Sequence, residues 1–208
     1  AGRAAPSGRE GPDAGGGCGV KQPPRPVIGY VGANPELINW RLIAAVARLR
    51  PDWSWAFIGP LRAAGGEMRG LRNVRFFGQK PHNELVKYIR DFDVCIIPYR
   101  LDEYTATVVP TKLNEYLAVG KPVVSTNLPA VRRFNPEHGV VLASDEQPEC
   151  FLEAIEEALR LPKDREAIER RRAVAASGNW QTRFEAMSRL LEAALEAKEG
   201  RAEAAPRR

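Results

Sequence analysis

A doubly wound, parallel α/β sheet is the fold this sequence predicts. Three observations predict it. Short runs rich in β-branched and aromatic residues recur along the chain and stop at glycine or proline. Segments with apolar residues at helical spacing lie between them. One stretch, Pro110 to Thr126, passes from a helix through a glycine stop directly into a buried strand. Strands that alternate with helices are joined by crossovers, which makes neighbouring strands parallel and covers both faces of the sheet.

Taken in order, Ala1 to about Pro26 is rich in Gly, Pro, Ala and Arg, with almost no large apolar residue. Such a composition buries too little surface to offset chain entropy, so residues 1–25 are expected to be disordered. The ordered domain is expected over residues 26–198, with a disordered tail at 199–208. Pro26-Val-Ile-Gly-Tyr-Val31 reads as a first buried strand. Gly32-Ala-Asn-Pro35 then turns into a helix, with Asn34 as its cap and Pro35 at its first position. Leu37, Trp40, Ile43 and Val46 give that helix an apolar stripe, and Trp40 reads as core. Trp53–Ile58 is a second strand, closed by Gly59-Pro60, and Val74–Phe77 a short third, closed by Gly78. Pro81 to about Arg90 is a helix with Leu85, Tyr88 and Ile89 inward, and Val94–Pro98 is a strand. After Val123–Thr126 comes a last strand, Gly139–Ala143. Helices over about Glu149–Leu161, Asp164–Ala176 and Gln181–Lys198 close the chain. With its cap region, the final one carries an apolar stripe of Trp180, Phe184, Met187, Leu190 and Leu191. In such a sheet ligands bind beyond the carboxyl ends of the strands, where Gly32, Gly59, Gly78 and Arg100 all fall.

The stretch from Pro110 carries the chemistry. Pro110 suits a first helical turn, because its missing N–H has no partner there. Gly120 suits the left-handed position just past a helix end, and Pro122 keeps the helix from resuming. Lys112 lies in the first turn, where a cation opposes the helix dipole at a small cost, which hints at an anionic ligand. Glu115 follows on the same face. A cation and a carboxylate one turn apart, beside free helix N–H groups, suit a phosphate and a sugar diol. On spacing alone, a surface Lys–Glu pair on an ordinary helix stays open.

Glu115-Tyr-Leu-Ala-Val-Gly-Lys-Pro-Val-Val124 is similar to the E-[AY]-x-A-x-G-[KL]-P-V-[VI] helix of GT-B glycosyltransferases. The matching family is the large retaining one that includes sucrose-phosphate-synthase-like and teichuronic-acid-type enzymes. Pro110-Thr-Lys112-Leu-Asn-Glu115 extends the likeness to the teichuronic-acid-type subgroup, whose pattern is N-P-x-K-L-x-E-Y-L-A-x-G-K-P-V-V. More loosely, the resemblance runs from about Val27 to about Leu195. It implies a Rossmann-like sheet forming the C-terminal, donor-binding half of a GT-B fold. In the family, the glutamate at the Glu115 position binds ribose hydroxyls. The lysine at the Lys112 position would lie near the diphosphate, and Arg100 would join it in stabilising the leaving group. The Gly32 loop would let backbone approach the diphosphate. Gln79 and Lys80 lie where relatives contact the base, and Thr107 and Val108 complete the expected donor set. Two departures stand out. Thr107 occupies the position where many members carry a second glutamate, and Val109 replaces the subgroup's asparagine before the proline.

The resemblance implies transfer of a glycosyl unit from a nucleotide diphosphate sugar to an acceptor hydroxyl, on a glycan or lipid-linked acceptor. At 208 residues, beginning at alanine, the chain fits one such domain, and an N-terminal acceptor domain is expected to be missing. The isolated chain should then be inactive. Two rivals are a nucleotide-sugar epimerase of the same architecture and a non-catalytic nucleotide-binding module.

Composition narrows the partners. A formal charge of +5 suits anionic donors or anionic membrane surfaces. The aromatic–basic alternation of an RNA-binding sheet is missing, so no nucleic acid partner is expected. No run of about twenty apolar residues exists to span a membrane, and the N-terminus lacks a signal-peptide core. Cys18, Cys95 and Cys150 fit neither a zinc site nor a disulfide framework, and Cys95 reads as core. A cytoplasmic location, with peripheral association at the inner membrane surface, follows as the expectation. The spacing G-x-G-x-x-G is absent, which argues against a dinucleotide cofactor. Asp91-Phe-Asp93 looks like the D-x-D metal motif of the other major glycosyltransferase fold, yet it joins a helix end to a strand start, away from the ligand rim. GT-B relatives work without a bound metal, so neither metal nor cofactor is expected. His82 and His138 stand alone, without the pattern of a triad or metal site.

Overall fold

The computed structural model describes residues 24–60, 66–68, 70–177, 184 and 187–192. Its strands are β1 (Val27–Val31), β2 (Ser54–Ile58), β3 (Val74–Phe76), β4 (Val94–Ile97), β5 (Val123–Thr126) and β6 (Val141–Ser144). Its helices are α1 (Trp40–Leu49), α2 (His82–Asp91), α3 (Glu103–Ala106), α4 (Lys112–Val119), α5 (Pro129–His138), α6 (Pro148–Arg160) and α7 (Arg165–Ser177). The six strands form one sheet in the order β3-β2-β1-β4-β5-β6, and every neighbouring pair is parallel. This is the doubly wound architecture the sequence predicts. Every residue of β1, β2, β4 and β5 is buried, which explains why these strands read as apolar runs rather than alternating ones. Each fully buried Ile or Val among them contributes about 1.5–3 kcal/mol relative to exposure. The strand order reverses between β1 and β4, so the ligand crevice of this topology opens beyond their carboxyl ends.

Helix α4 shows why the Gly-Lys-Pro run follows it. Gly120 takes the left-handed conformation at φ 86° and ends the helix, and the Lys121 N–H donates to Tyr116 O at 3.0 Å. A side chain on Gly120 would also strike Ile168 of α7, with a Cβ 2.7 Å from its Cγ2. Arg171, buried on α7, donates to Gly120 O at 3.2 Å and to Pro162 O at 3.1 Å. Lys121 donates through Nζ to Arg90 O at 2.6 Å and Phe92 O at 2.7 Å, serving the carbonyls at the end of α2. Burial lowers the pKa of both cations. Pro122 O accepts from Cys95 N as the chain enters β5.

Some local expectations are corrected. Asn34 does not cap a helix: Pro35–Leu37 forms a single 3-10 turn, and α1 begins only at Trp40. The cap is Asn39, whose side chain accepts from Leu42 N at 3.0 Å. The reason is tertiary. Ile38 bridges Tyr99 antiparallel, Asn39 N–H donates to Pro98 O and Arg100 N–H donates to Leu37 O, so strand-like bonds claim the residues a longer helix would need. Pro110 stands two residues ahead of α4, not within it, and its carbonyl accepts from Leu113 N at 3.1 Å. Helix α5 was not foreseen. Pro129 opens it and Gly139 closes it at φ 58°, but Pro136 near its end and few apolar residues hide it. Because Gly139 ends α5, the last strand starts at Val141 rather than at Gly139.

Residues 187–192 are helical, and Phe184, Met187, Leu190 and Leu191 are all more than half exposed; Trp180, Cys18 and most of the expected terminal segments lie outside the described residues. An apolar stripe left in water favours association. The 208-residue chain is expected to self-associate as its concentration rises, and Met187→Lys with Leu191→Lys to shift it toward monomer. Sedimentation velocity checks this; a parent chain that stays monomeric at every concentration would count against it.

Candidate functional site

The crevice is built from the loops that follow β1 and β4. They are zipped together by the Leu37–Asn39 and Pro98–Arg100 backbone bonds. Glu146, beyond β6, latches them from the side: its Oε1 accepts from Asn39 Nδ2 at 2.7 Å and from Leu101 N at 3.1 Å. Helix α4 ends β4's crossover with its N-terminus at the same rim, because it runs antiparallel to the strand that it feeds. Its positive dipole end therefore faces the crevice, while the Leu113 and Asn114 N–H groups are already bonded to Pro110 O and Thr111 O, each at 3.1 Å.

Lys112, the first residue of α4, lies across Gly32, the residue after β1. A Cβ at Gly32 would stand 2.8 Å from Lys112 Cε and 2.5 Å from the Tyr30 hydroxyl oxygen, so only glycine fits between them. Lys112 Nζ donates to Tyr99 Oη at 2.6 Å and sits 5.3 and 5.4 Å from the ring centres of Tyr99 and Tyr30. Tyr116 reaches β1 from α4 itself: its hydroxyl accepts from Val31 N at 2.8 Å and donates to Val31 O at 3.3 Å. The Tyr30 hydroxyl is buried without a hydrogen-bond partner. Burial pushes the Tyr30 and Tyr116 hydroxyls far above the ordinary tyrosine pKa, so the Tyr30 ring beside the lysine carries a neutral hydroxyl.

Glu115 points elsewhere on the same helix. It is exposed and lines two grooves that meet at Ala118 and Arg172. One, of about 280 Å³, runs between α2 and α4 and includes His82. The other, of about 810 Å³, lies among α4, α5 and α7 and includes Val109 and Phe134. Lys112 lines neither.

The remaining candidates are placed as follows. Gln79 is exposed and Lys80 half-buried, in the link from Gly78 (φ 68°) to α2 and so on the His82 side of the crevice. Arg100 is half-exposed, with Nε 3.5 Å from Asp102 Oδ2. The Thr105 N–H at 2.8 Å holds the Asp102 carboxyl below the usual carboxylate range, so this pairing keeps Arg100 facing an ionised neighbour. The Thr107 hydroxyl donates to Tyr104 O at 2.8 Å, closing α3, and Val108 packs against the core. Asp93 is fully engaged far from this rim: it accepts from Arg25 at 2.8 and 2.9 Å and from Val27 N at 2.8 Å. Sequence reasoning missed Tyr30, Tyr99, Tyr116, Asn39 and Glu146. Tyr30 lies inside a buried-strand run, Tyr99 at a strand end and Tyr116 inside the α4 motif, and nothing in their spacing marks a cation's cradle.

Comparison with known proteins decides the family. Residues 25–160 match the family model described as Glycosyl transferases group 1. The chain belongs to that family. It is 30% identical over 162 residues to TuaH of Bacillus subtilis (strain 168), named as a teichuronic acid biosynthesis glycosyltransferase, an activity that its name leaves provisional. That alignment takes in 76% of this chain and 41% of TuaH. Among solved structures, sucrose-phosphate synthase from Thermosynechococcus elongatus superposes with a TM-score of 0.66 at 22% identity, over 83% of this chain and 46% of that one. HepE of Anabaena, solved in complex with UDP and glucose, gives 0.61 at 16% identity, over 81% and 48%. These likenesses show a shared GT-B-type α/β fold. The chain spans under half the length of the relatives it matches, a coverage consistent with one half of a two-domain enzyme. Family membership supports glycosyl transfer as the general chemistry.

Proposed function

We propose that this glycosyltransferase chain is the donor-binding half of its enzyme, residues 26–198, and that it holds a nucleotide diphosphate sugar for transfer to an acceptor hydroxyl. The observation that carries this reading is the placement of Lys112 across Gly32 at the β1/β4 switch point, on the N-terminus of α4. A diphosphate seated there meets the dipole end of α4 and an ammonium group together. Gly32 lets the backbone approach it. Glu115, one turn along α4 and beside the α2 groove, accepts from the ribose hydroxyls. Gln79 and Lys80, at the entrance to α2, flank the base. Arg100, just after β4, adds charge for the leaving diphosphate, and Thr107 and Val108, just after α3, complete the donor set. The acceptor comes from a second domain, which also excludes water, so the chain alone binds donor and transfers no sugar.

Calorimetry on the full chain with uridine, guanosine and adenosine diphosphates tests the reading. One of them is expected to bind, and Lys112→Ala to weaken that diphosphate by roughly tenfold while sparing its nucleoside. Binding is also expected to be insensitive to EDTA, because Asp93 is committed to Arg25 and Val27. Nucleotide affinity that collapses on chelation and returns with manganese would place a metal in the chemistry and overturn this part of the account.

A further inference from the structure

We infer that Tyr99 is a positioning residue for Lys112, fixing its ammonium group where a bound diphosphate sits; this rests on the donor reading above. A lysine at the first position of a helix has a flexible four-carbon stem and ordinarily sweeps solvent. Lys112 does not. Its Cε lies against the face of Gly32, and its Nζ donates to Tyr99 Oη at 2.6 Å between the rings of Tyr30 and Tyr99.

The acceptor is rigid where the lysine is not. Tyr99 is 2% exposed at the end of β4, its carbonyl accepts from Thr126 Oγ1 at 2.7 Å, and its backbone bridges Ile38. The bond therefore ties α4 to the strand side of the switch point. Its chemistry also differs from that of the nearby Arg100. A carboxylate partner orients a cation but offsets part of its charge, as Asp102 does for Arg100 at 3.5 Å. A phenolic oxygen orients an ammonium group and leaves the charge in place. Two N–H donors of Lys112 stay available for phosphate oxygens, since Tyr99 is the hydrogen-bond acceptor of Nζ among the described residues. Beneath them lies the Tyr30 hydroxyl, buried, without a partner, and 2.5 Å from where a Cβ on Gly32 would stand. The three-residue nest of Gly32, Tyr30 and Tyr99 is thus shaped around the lysine's reach.

The test is a double-mutant cycle on the full chain with Y99F, K112M and the pair, read by calorimetry with uridine, guanosine and adenosine diphosphates and their nucleosides. Y99F keeps the ring in the core, and thermal unfolding verifies that it folds. Y99F is expected to weaken the best diphosphate roughly 3- to 10-fold, to leave nucleoside affinity unchanged, and to have no further effect when Met stands at 112. A diphosphate affinity equal to the parent's would overturn the inference. So would an equal loss for nucleoside, or the same loss in the K112M background, either of which marks a structural role. K112M that binds every diphosphate like the parent would remove the donor reading at Lys112 and this inference with it, whereas K112M impaired beside an unimpaired Y99F removes this inference alone.

Discussion

Replacing Glu115 with alanine is expected to weaken nucleoside diphosphate binding by about 1.5–3 kcal/mol, the contribution of a charge-assisted hydrogen bond. That is roughly a 10- to 150-fold rise in Kd. The expectation follows from where the carboxylate stands. Glu115 is exposed on α4, beside the groove toward α2, and no ion pair among the described residues holds it. Its removal leaves the buried face of α4, made by Leu113, Tyr116 and Leu117, untouched. The loss should thus appear in binding and not in folding. Glu115→Gln keeps one accepting oxygen and should recover part of the affinity. The diol is the group that the carboxylate serves, so the corresponding 2′-deoxynucleotide should show a smaller loss on the same substitution. An alanine variant with parental affinity for every diphosphate would show that Glu115 is a surface residue.

Gly29→Ala is expected to produce the largest loss of stability. Gly29 is the middle residue of β1, paired with Ala56 on one side and Cys95 on the other. A Cβ there would lie 2.0 Å from Phe92 Cδ2 and 2.2 Å from its Cγ. Phe92 is buried, so its ring cannot clear the added methyl by turning out into solvent. Overpacking of this kind costs about 1–3 kcal/mol, and the severity of the contact points to the upper end. For a domain of this size that corresponds to a drop in Tm of roughly 6–12 °C. Gly29→Ala with Phe92→Leu should recover much of it, because the smaller side chain vacates the space. Thermal unfolding of the two variants checks this, and an unchanged Tm in the single variant would show that the β1–Phe92 packing is misdescribed.

The architecture was legible because the four inner strands of this sheet are buried on both faces. Apolar runs such as Val94–Ile97 and Val123–Thr126 have few alternatives, and Gly120 followed by Pro122 punctuates one of them sharply. Boundaries were less legible wherever tertiary bonds compete with local signals. Asn34-Pro35 is a good helix start by composition, but the pairing of Ile38 with Tyr99 moves the start to Trp40. Helix α5 hid behind Pro136 and a sparse apolar face. For the site, charge and spacing on α4 pointed at Lys112 and Glu115 but left an ordinary surface pair open, and only the resemblance to GT-B glycosyltransferases favoured the donor reading, while the residues that hold Lys112 did not announce themselves. Tyr99 follows Pro98 at the end of an apolar run, and Tyr30 sits inside one. Each is indistinguishable in sequence from an ordinary core aromatic, because what makes it matter is a crossing of β1, β4 and α4 that no local pattern records.

The most direct measurement of the central claim is residue-by-residue amide NMR of the chain titrated with the nucleoside diphosphate it binds most tightly. The account predicts saturable shifts at Gly32, at Lys112 through Glu115 and at Gln79–Lys80, with the amides near Asp91 and Asp93 unmoved. Shifts that gather at the Asp91–Asp93 edge, or the absence of any saturable shift around Gly32 and Lys112, would contradict it.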